Sequence, residues 1–419
     1  MNDMTSTGTA HVREATESRP PAEAVPARTR PTEAPASSIV DAAASSPDRS
    51  AAATPERSTE ATSERSAEAT SGTGARPPRR TGTHARERSA GSLPTVRARR
   101  RYWAIMAGLV VTSAAVALGL LAWDNPMPIT DDGFWLIAQL RMKNLVVLAI
   151  VALSQAFATV AFQTVTNNRI ITPSIMGFES LYVAIQTGAM YFFGVTAIVD
   201  LKGLTPFAIQ LVVMVGLSLA LYGWLLSGRY GSVAIMLLIG VVIGGGLGSI
   251  ATFMQRTLTP SEFDILSARL FGSIANSDSA YLPLAIPLCV LACIAIFASS
   301  GRLNVLALGR DTTSNLGLNH RFEMMKILFF VSILMAVSVS MIGPMVFLGF
   351  LVAMLAYQFS DTYDHKYILP MAALIAFTIL GGAYFIMKNI FYAQGVVSII
   401  VEVVGGVAFL IVIMRKGRL

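Results

Sequence analysis

The chain is poor in charge and in the side chains that chemistry usually needs. Only 14% of its 419 residues are Asp, Glu, Lys or Arg, while 53% are hydrophobic, where an ordinary soluble domain carries about a quarter charged. That balance excludes a typical soluble domain and indicates an integral membrane protein. Histidine occurs four times, as His11, His84, His320 and His365, none inside an expected span. No His-Glu-x-x-His or Gly-x-Ser-x-Gly pattern is present, so an intramembrane hydrolase lacks its constellation. No lysine is followed by Ser or Thr, which rules out a Gly-Lys-Ser/Thr phosphate loop: ATP hydrolysis, if it drives this protein, is done by another polypeptide. The two cysteines, Cys289 and Cys293, stand four apart in an apolar run without further ligands and read as small packing residues rather than a metal site. The net charge of +7 is spread over the whole length and makes no case for nucleic acid.

Residues 1–101 contain no Phe, Trp or Tyr and no apolar periodicity, being rich in Ala, Thr, Ser, Pro, Glu and Arg. Such a stretch cannot bury enough surface to offset chain entropy, so it is expected to be a disordered, low-complexity cytoplasmic tail. No apolar run near Met1 offers a cleavable signal, and the first span is expected to act as the insertion signal. Arg97, Arg99, Arg100 and Arg101 then hold the start of that span in the cytoplasm by the positive-inside rule.

About 20 apolar residues cross the hydrocarbon layer, and ten candidates follow: roughly 102–123, 145–164, 174–194, 205–227, 232–253, 281–299, 325–342, 344–359, 367–387 and 396–414. The expected fold is therefore all-α, with about ten transmembrane helices and both termini inside. Basic residues divide in keeping with that count, most of them, including Arg169, Arg229, Arg302, Arg321, Lys326 and Lys366, falling at cytoplasmic ends. Arg141, Lys143, Lys202, Arg256, Arg269 and Lys388 fall outside. The Gly343-Pro344 pair is the ambiguous point, since one long kinked helix there would invert everything downstream. Gly240, Gly244, Gly245, Gly246 and Gly248 crowd one span and permit close helix approach. Gln155, Gln163, Gln186 and Gln210 must face protein or water, either as a polar path or as links between helices. Glu402, ionisable within the last span, needs a partner, a cavity or a proton.

One polar interruption, from Gly301 to Phe322, alternates apolar and polar residues and has glycines at 309 and 317, which predicts two short helices and a turn on the cytoplasmic side. Asp311 and Ser314 are candidate caps. Leu303, Leu306 and Leu308 are expected to form an apolar knob that docks a soluble partner, the alternative being a loop that only packs beneath its own helices.

Four stretches, in order, resemble the permeases of the iron-siderophore and cobalamin family of type II ABC importers. The run Phe162-Gln163-Thr164-Val165-Thr166-Asn167-Asn168-Arg169 through Pro173 and Met176-Gly177 is similar to that family's Gln, Asn-Pro-Leu-Ala, Pro, Leu-Gly turn. Leu303 to Leu318 resembles its Leu-Asn-Leu-Leu-Ala-Leu-Gly coupling segment, and Gly343-Pro344-Met345-Val346-Phe347-Leu348-Gly349-Phe350 its Gly-Pro-Ile-Gly-Phe-Val-Gly-Leu. Asp364-His365-Lys366-Tyr367-Ile368-Leu369-Pro370 resembles its Asp-His-Arg-x-Leu-Leu-Pro. Asn168-Arg169 in place of Pro-Leu, and Met354-Leu355 in place of Pro-His, look like the ferric (catechol-type) siderophore branch, whose two permeases are different chains.

The resemblance implies a ferric-siderophore permease in the cell membrane, with a translocation path between two permease chains, ABC ATPase subunits beneath, a substrate-binding protein above and lipid around. It places ATPase coupling on Leu303, Leu306, Leu308, Gly309, Arg310, Leu316 and Gly317. Docking of the binding protein falls on Arg141, with Lys143 and Lys388 near the other two positions. The path is expected at Gln163, Gly177, Gly343, Pro344 and Glu402. No cofactor or metal is implied for this chain, ATP and Mg being used by the partner subunit, and nothing in it is catalytic. The alternatives are a cobalamin or haem permease of the same fold, or a proton-coupled secondary transporter that uses Glu402 or Glu179.

Overall fold

The computed structural model describes residues 91–416 except 94, 129, 201–202, 228–232, 272–273, 275–276 and 392–396. Residues 1–90 of the expected tail lie outside the described residues, as do Lys202, Arg229 and Arg418. Among the described residues all regular structure is helical: α1 (Val96–Ala122), α2 (Asp132–Val165), α3 (Glu179–Asp200), α4 (Leu204–Ser227), α5 (Val233–Thr257), α6 (Pro260–Leu270), α7 (Leu282–Ala298), α8 (Ser300–Leu306), α9 (Arg310–Asn315), α10 (His320–Ile342), α11 (Val346–Ser360), α12 (His365–Asn389) and α13 (Val397–Lys416).

Each of the ten expected spans coincides with a helix, but the described residues give seven helices long and apolar enough to cross a membrane. Two of the others are short. Helix α11 has 15 residues and the apolar stretch described for α13 runs from Val397 to Ala408, against about 20 needed to span. Gly343, at φ +109°, closes α10, and α11 starts three residues later. The Gly343-Pro344 ambiguity thus resolves into two helices, because a left-handed glycine and a proline cannot both continue one. The first helix begins at Val96, with Thr95 Oγ1 accepting from Ala98 N at 3.1 Å. The Thr362 hydroxyl donates to Ser92 O at 2.7 Å. Residues 96–101, drawn as the end of the tail, are therefore the first turns of α1. The short helix α6 escaped the span count because only 11 residues form it; a Thr259–Glu262 capping box and Pro260 start it.

The core lies along α2, which packs against α10, α12, α11 and α7. Residues 147–165 of α2 are buried nearly all round, including Ser154, Gln155, Thr159 and Gln163. Polar atoms so placed need partners from neighbouring helices. Gln155 Nε2 donates to Ser338 Oγ at 3.1 Å. In α4, Gln210 accepts from Gln186 Nε2 and donates to Ser340 Oγ, both at 2.9 Å. Gln155, Gln186 and Gln210 therefore link helices. Gly349 of α11 faces Thr159 so closely that a Cβ there would lie well inside van der Waals distance of its hydroxyl.

Candidate functional site

The 301–322 stretch does form two short helices, α8 and α9, joined at Gly309 (φ +91°) and closed at Gly317 (φ +83°), values that suit glycine alone. The expected caps are corrected. Ser314 Oγ donates back to Arg310 O at 3.0 Å, Asp311 lies in the first turn of α9 with Gly309 at its N-cap, and it is Asn319 Oδ1 that accepts from Phe322 N to start α10. The expected knob is corrected as well. Leu303 and Leu306 are buried, at 0% and 1% exposed, whereas Leu308, Leu316 and Phe322 are 59%, 60% and 64% exposed. The helical period explains the split: residues three apart share a face, so 303 and 306 root the segment in the core while 308 lies past the turn. Arg310 and Gly317 are exposed beside them. Arg302 is not free, since it pairs with Glu323 at 2.7 Å, and Lys326 takes the other carboxylate oxygen at 3.2 Å.

Behind this segment the ends of four helices meet. Asn304 Oδ1 accepts from the backbone N of His365 at 3.0 Å and lies 2.6 Å from its Nδ1, while Asn304 Nδ2 donates to Asp364 Oδ1 at 2.9 Å. His365 Nε2 is 2.7 Å from Thr164 Oγ1 at the end of α2. Burial alone would raise the Asp364 carboxyl, but the Asn304 amide and the Lys366 N–H outweigh it and hold it below its ordinary value. Gln163, expected in the translocation path, donates through Nε2 to Arg169 O at 2.8 Å and is 2% exposed. It braces the 166–173 turn, because a buried amide is satisfied most cheaply by a nearby carbonyl. Arg169 lies 4.7 Å over the Tyr357 ring.

Deeper, the chain breaks its helices around Glu179. A π-turn over Ser174–Phe178 bends at Gly177 (φ +101°), the type of irregularity that often marks functional sites. A Cβ on Gly244 would approach Gly177 Cα to 2.9 Å, and one on Gly240 would meet Met176 Cγ at 2.8 Å, so glycines at 177, 240 and 244 let α5 cross the turn in backbone contact. Glu179, 6% exposed, accepts from Met345 N at 3.0 Å across the Gly343-Pro344 break. Glu402 lies close enough for its charge to act on Glu179. The structure thus brings Gly177, Gly343, Pro344 and Glu402 to one place and leaves Gln163 at another. Sequence reading gave Glu179 only to the proton-coupled alternative; an acid in an apolar run was the signal, but its backbone partner 166 residues away was not visible.

Arg141, expected to dock the binding protein, is bonded to its own chain. Its guanidinium donates to the carbonyls of Leu121 (3.3 Å), Trp123 (2.5 Å) and Asp124 (2.9 Å), which closes the C-terminal end of α1, where carbonyls lack helical partners. Lys388 lies within electrostatic range of Arg141 and Asp124, and Asn144 Nδ2 donates to Tyr384 OH at 3.1 Å. Lys143 is half-buried nearby in sequence. Two hollows lie on the α5 side. One, of about 400 Å³, is almost wholly apolar and opens between the π-turn, α3, α4 and α5; the other, about 500 Å³, is a shallow groove along Gly245, Gly248, Ser249, Thr252, Phe253 and Arg256. Among the described residues no three His, Cys, Asp or Glu side chains come together as a metal site.

Comparison with known proteins places this geometry. The profile of the FecCD transport family matches residues 102–415. The chain is 48% identical over 336 residues to the petrobactin import system permease protein FatC of Bacillus anthracis, covering 80% of this chain and 95% of that protein. It is 33% identical over 316 residues to the petrobactin import system permease protein YclO of Bacillus subtilis, covering 74% and 97%. A metal-chelate type ABC transporter solved in an inward-facing conformation superposes with a TM-score of 0.65 at 19% identity, covering 75% of this chain and all of that one. At that identity the likeness speaks for the fold alone, an all-helical membrane bundle.

Proposed function

The chain belongs to the FecCD transport family, and from that premise we propose that it is the membrane permease subunit of an ATP-driven importer of ferric siderophores, with petrobactin-type chelates as cargo. ATP hydrolysis falls to separate ATPase subunits with Mg, a second and different permease chain completes the path, and a substrate-binding protein delivers the chelate from outside. Both termini are then cytoplasmic. The observation that carries this reading is the 301–322 segment: it is rooted by buried Leu303 and Leu306 and leaves Leu308, Leu316 and Phe322 exposed, apolar side chains at its surface of the kind a partner covers. The open groove on α5, whose Ser249 and Thr252 hydroxyls bond back to Gly245 O and Gly248 O, supplies a polar-edged wall for the second permease or the path.

The path runs past Glu179. Its carboxyl is fixed on the Met345 amide, which pins the start of α11 where the helix leaves its N–H groups without partners. The test is reconstitution with the cognate ATPase and binding protein in vesicles: iron-loaded petrobactin should accumulate with ATP and not with a proton gradient alone. Accumulation driven by the proton gradient without nucleotide would contradict the reading.

A further inference from the structure

The junction of Asn304, His365 and Thr164 does more than hold loops. Asn304 is on α8, the segment given above to the ATPase contact; His365 opens α12 and Thr164 closes α2. Because Asn304 Oδ1 already accepts a backbone N–H, it is fixed as an acceptor, so Nδ1 of the neutral imidazole carries the proton and Nε2 is left to accept. The Thr164 hydroxyl has one proton and two places to send it: His365 Nε2 at 2.7 Å and its own helix's Val160 O at 2.8 Å. The Tyr357 hydroxyl of α11 also reaches the Thr164 oxygen. A link from α12 to α2 built this way parts without stranding the threonine donor, since the hydroxyl falls back on Val160. The link from α8 to α12 has no such fallback: three contacts from one amide clamp Asp364 and His365 to Asn304. The charged groups facing the ring are Asp364 and Arg169.

We propose that Asn304, His365 and Thr164 form a relay in which α8 and the start of α12 move as one body and the Thr164 contact is the joint that passes this movement to the end of α2. His365 is then a positioning residue for transport, not a contact of the cargo or of the ATPase. The proposal rests on the importer reading above, and its test separates the two. In the full complex of permeases, ATPase and binding protein, amide hydrogen exchange is followed with and without ATP and Mg. In the wild-type complex nucleotide should change exchange both at residues 301–316 and at residues 160–172. In Thr164→Val, which keeps shape and burial, and in His365→Asn, which keeps the Asn304 side of the ring, the change at 301–316 should persist while that at 160–172 is lost. Iron-petrobactin taken up per ATP should fall about tenfold, the scale of one buried hydrogen bond, with ATPase binding and hydrolysis retained. An undiminished nucleotide response at 160–172 in both variants overturns the relay, as does a wild-type complex whose response never reaches 160–172. If no ATPase binds the wild-type chain, it is the importer reading that fails.

Discussion

Helices α2 and α5 are almost equally apolar, yet most of α2 is buried and most of α5 is exposed. Hydropathy measures compatibility with lipid; it does not say whether lipid is what the helix meets. The polar residues tell the two apart. In α2, Ser154, Gln155, Thr159 and Thr164 lie at spacings that cover the whole circumference, which only a helix surrounded by protein can carry. In α5 the small and polar residues 245, 248, 249, 252 and 256 fall on one face, and that face is open. The centre is therefore closed by the chain's own helices, whereas the α5 face is left exposed by them.

Glycine substitutions sharpen this contrast most. Gly349→Val would press into Thr159 and Gln155 and should lower stability by about 3 kcal/mol, read as a large drop in the detergent unfolding midpoint. Gly245→Val, on the open face, meets nothing within 4 Å and should change stability by no more than about 0.5 kcal/mol while impairing assembly or transport. Equal loss of folding in both would erase the distinction.

The next effect concerns Glu179, buried, without a paired cation among the described residues, and held by a backbone amide. Glu179→Ala should cut uptake roughly tenfold by leaving the Met345 N–H unsatisfied, whereas Glu179→Gln, which still accepts from that amide, should keep most of it. Uptake lost equally in Gln and Ala would instead assign the carboxyl a proton-carrying role.

At the outer face, Arg141→Ala should destabilise the α1–α2 corner by about 1–3 kcal/mol, because three carbonyls lose their donor. Lys143→Glu and Lys388→Glu should leave folding alone and weaken binding-protein affinity about fivefold or less each, an effect that salt diminishes. A salt series of binding measurements beside unfolding curves separates the two roles. Smallest of all, a chain starting at Gly91 should insert and transport like the full length, since Ser92, Leu93 and Thr95, which pack or bond to the domain, are kept. Starting at Thr95 instead should cost measurable stability.

Much of the fold was legible because spans are read from composition: each expected span meets a helix, and the Arg97–Arg101 cluster does lie at the start of the first. The site was legible in its places but not its contacts. The glycines at 309, 317, 177 and 343 marked the turns, since positive φ leaves few alternatives to glycine. Which leucines of 303, 306 and 308 face out depends on where α8 ends, a boundary of one or two residues that pattern does not fix. Arg141, Gln163 and Glu179 each bond a backbone group from a different or later segment, and no sequence spacing encodes which carbonyl or amide the fold brings near. Asn304 is the clearest case: in sequence it is one polar residue among leucines, and its two partners, Asp364 and His365, lie 60 and 61 residues on.

The account turns on the outward face of α8–α9. Leu308→Asp with Leu316→Asp leaves Leu303 and Leu306 in the core, so the permease should still insert and unfold like wild type, whereas Leu306→Asp would put a charge into the core and report on folding instead. Detergent-solubilised double variant should lose co-purifying ATPase and ATP-driven uptake together while still binding its substrate-binding protein. An ATPase that stays bound at wild-type stoichiometry, with uptake intact, would contradict the assignment of this face.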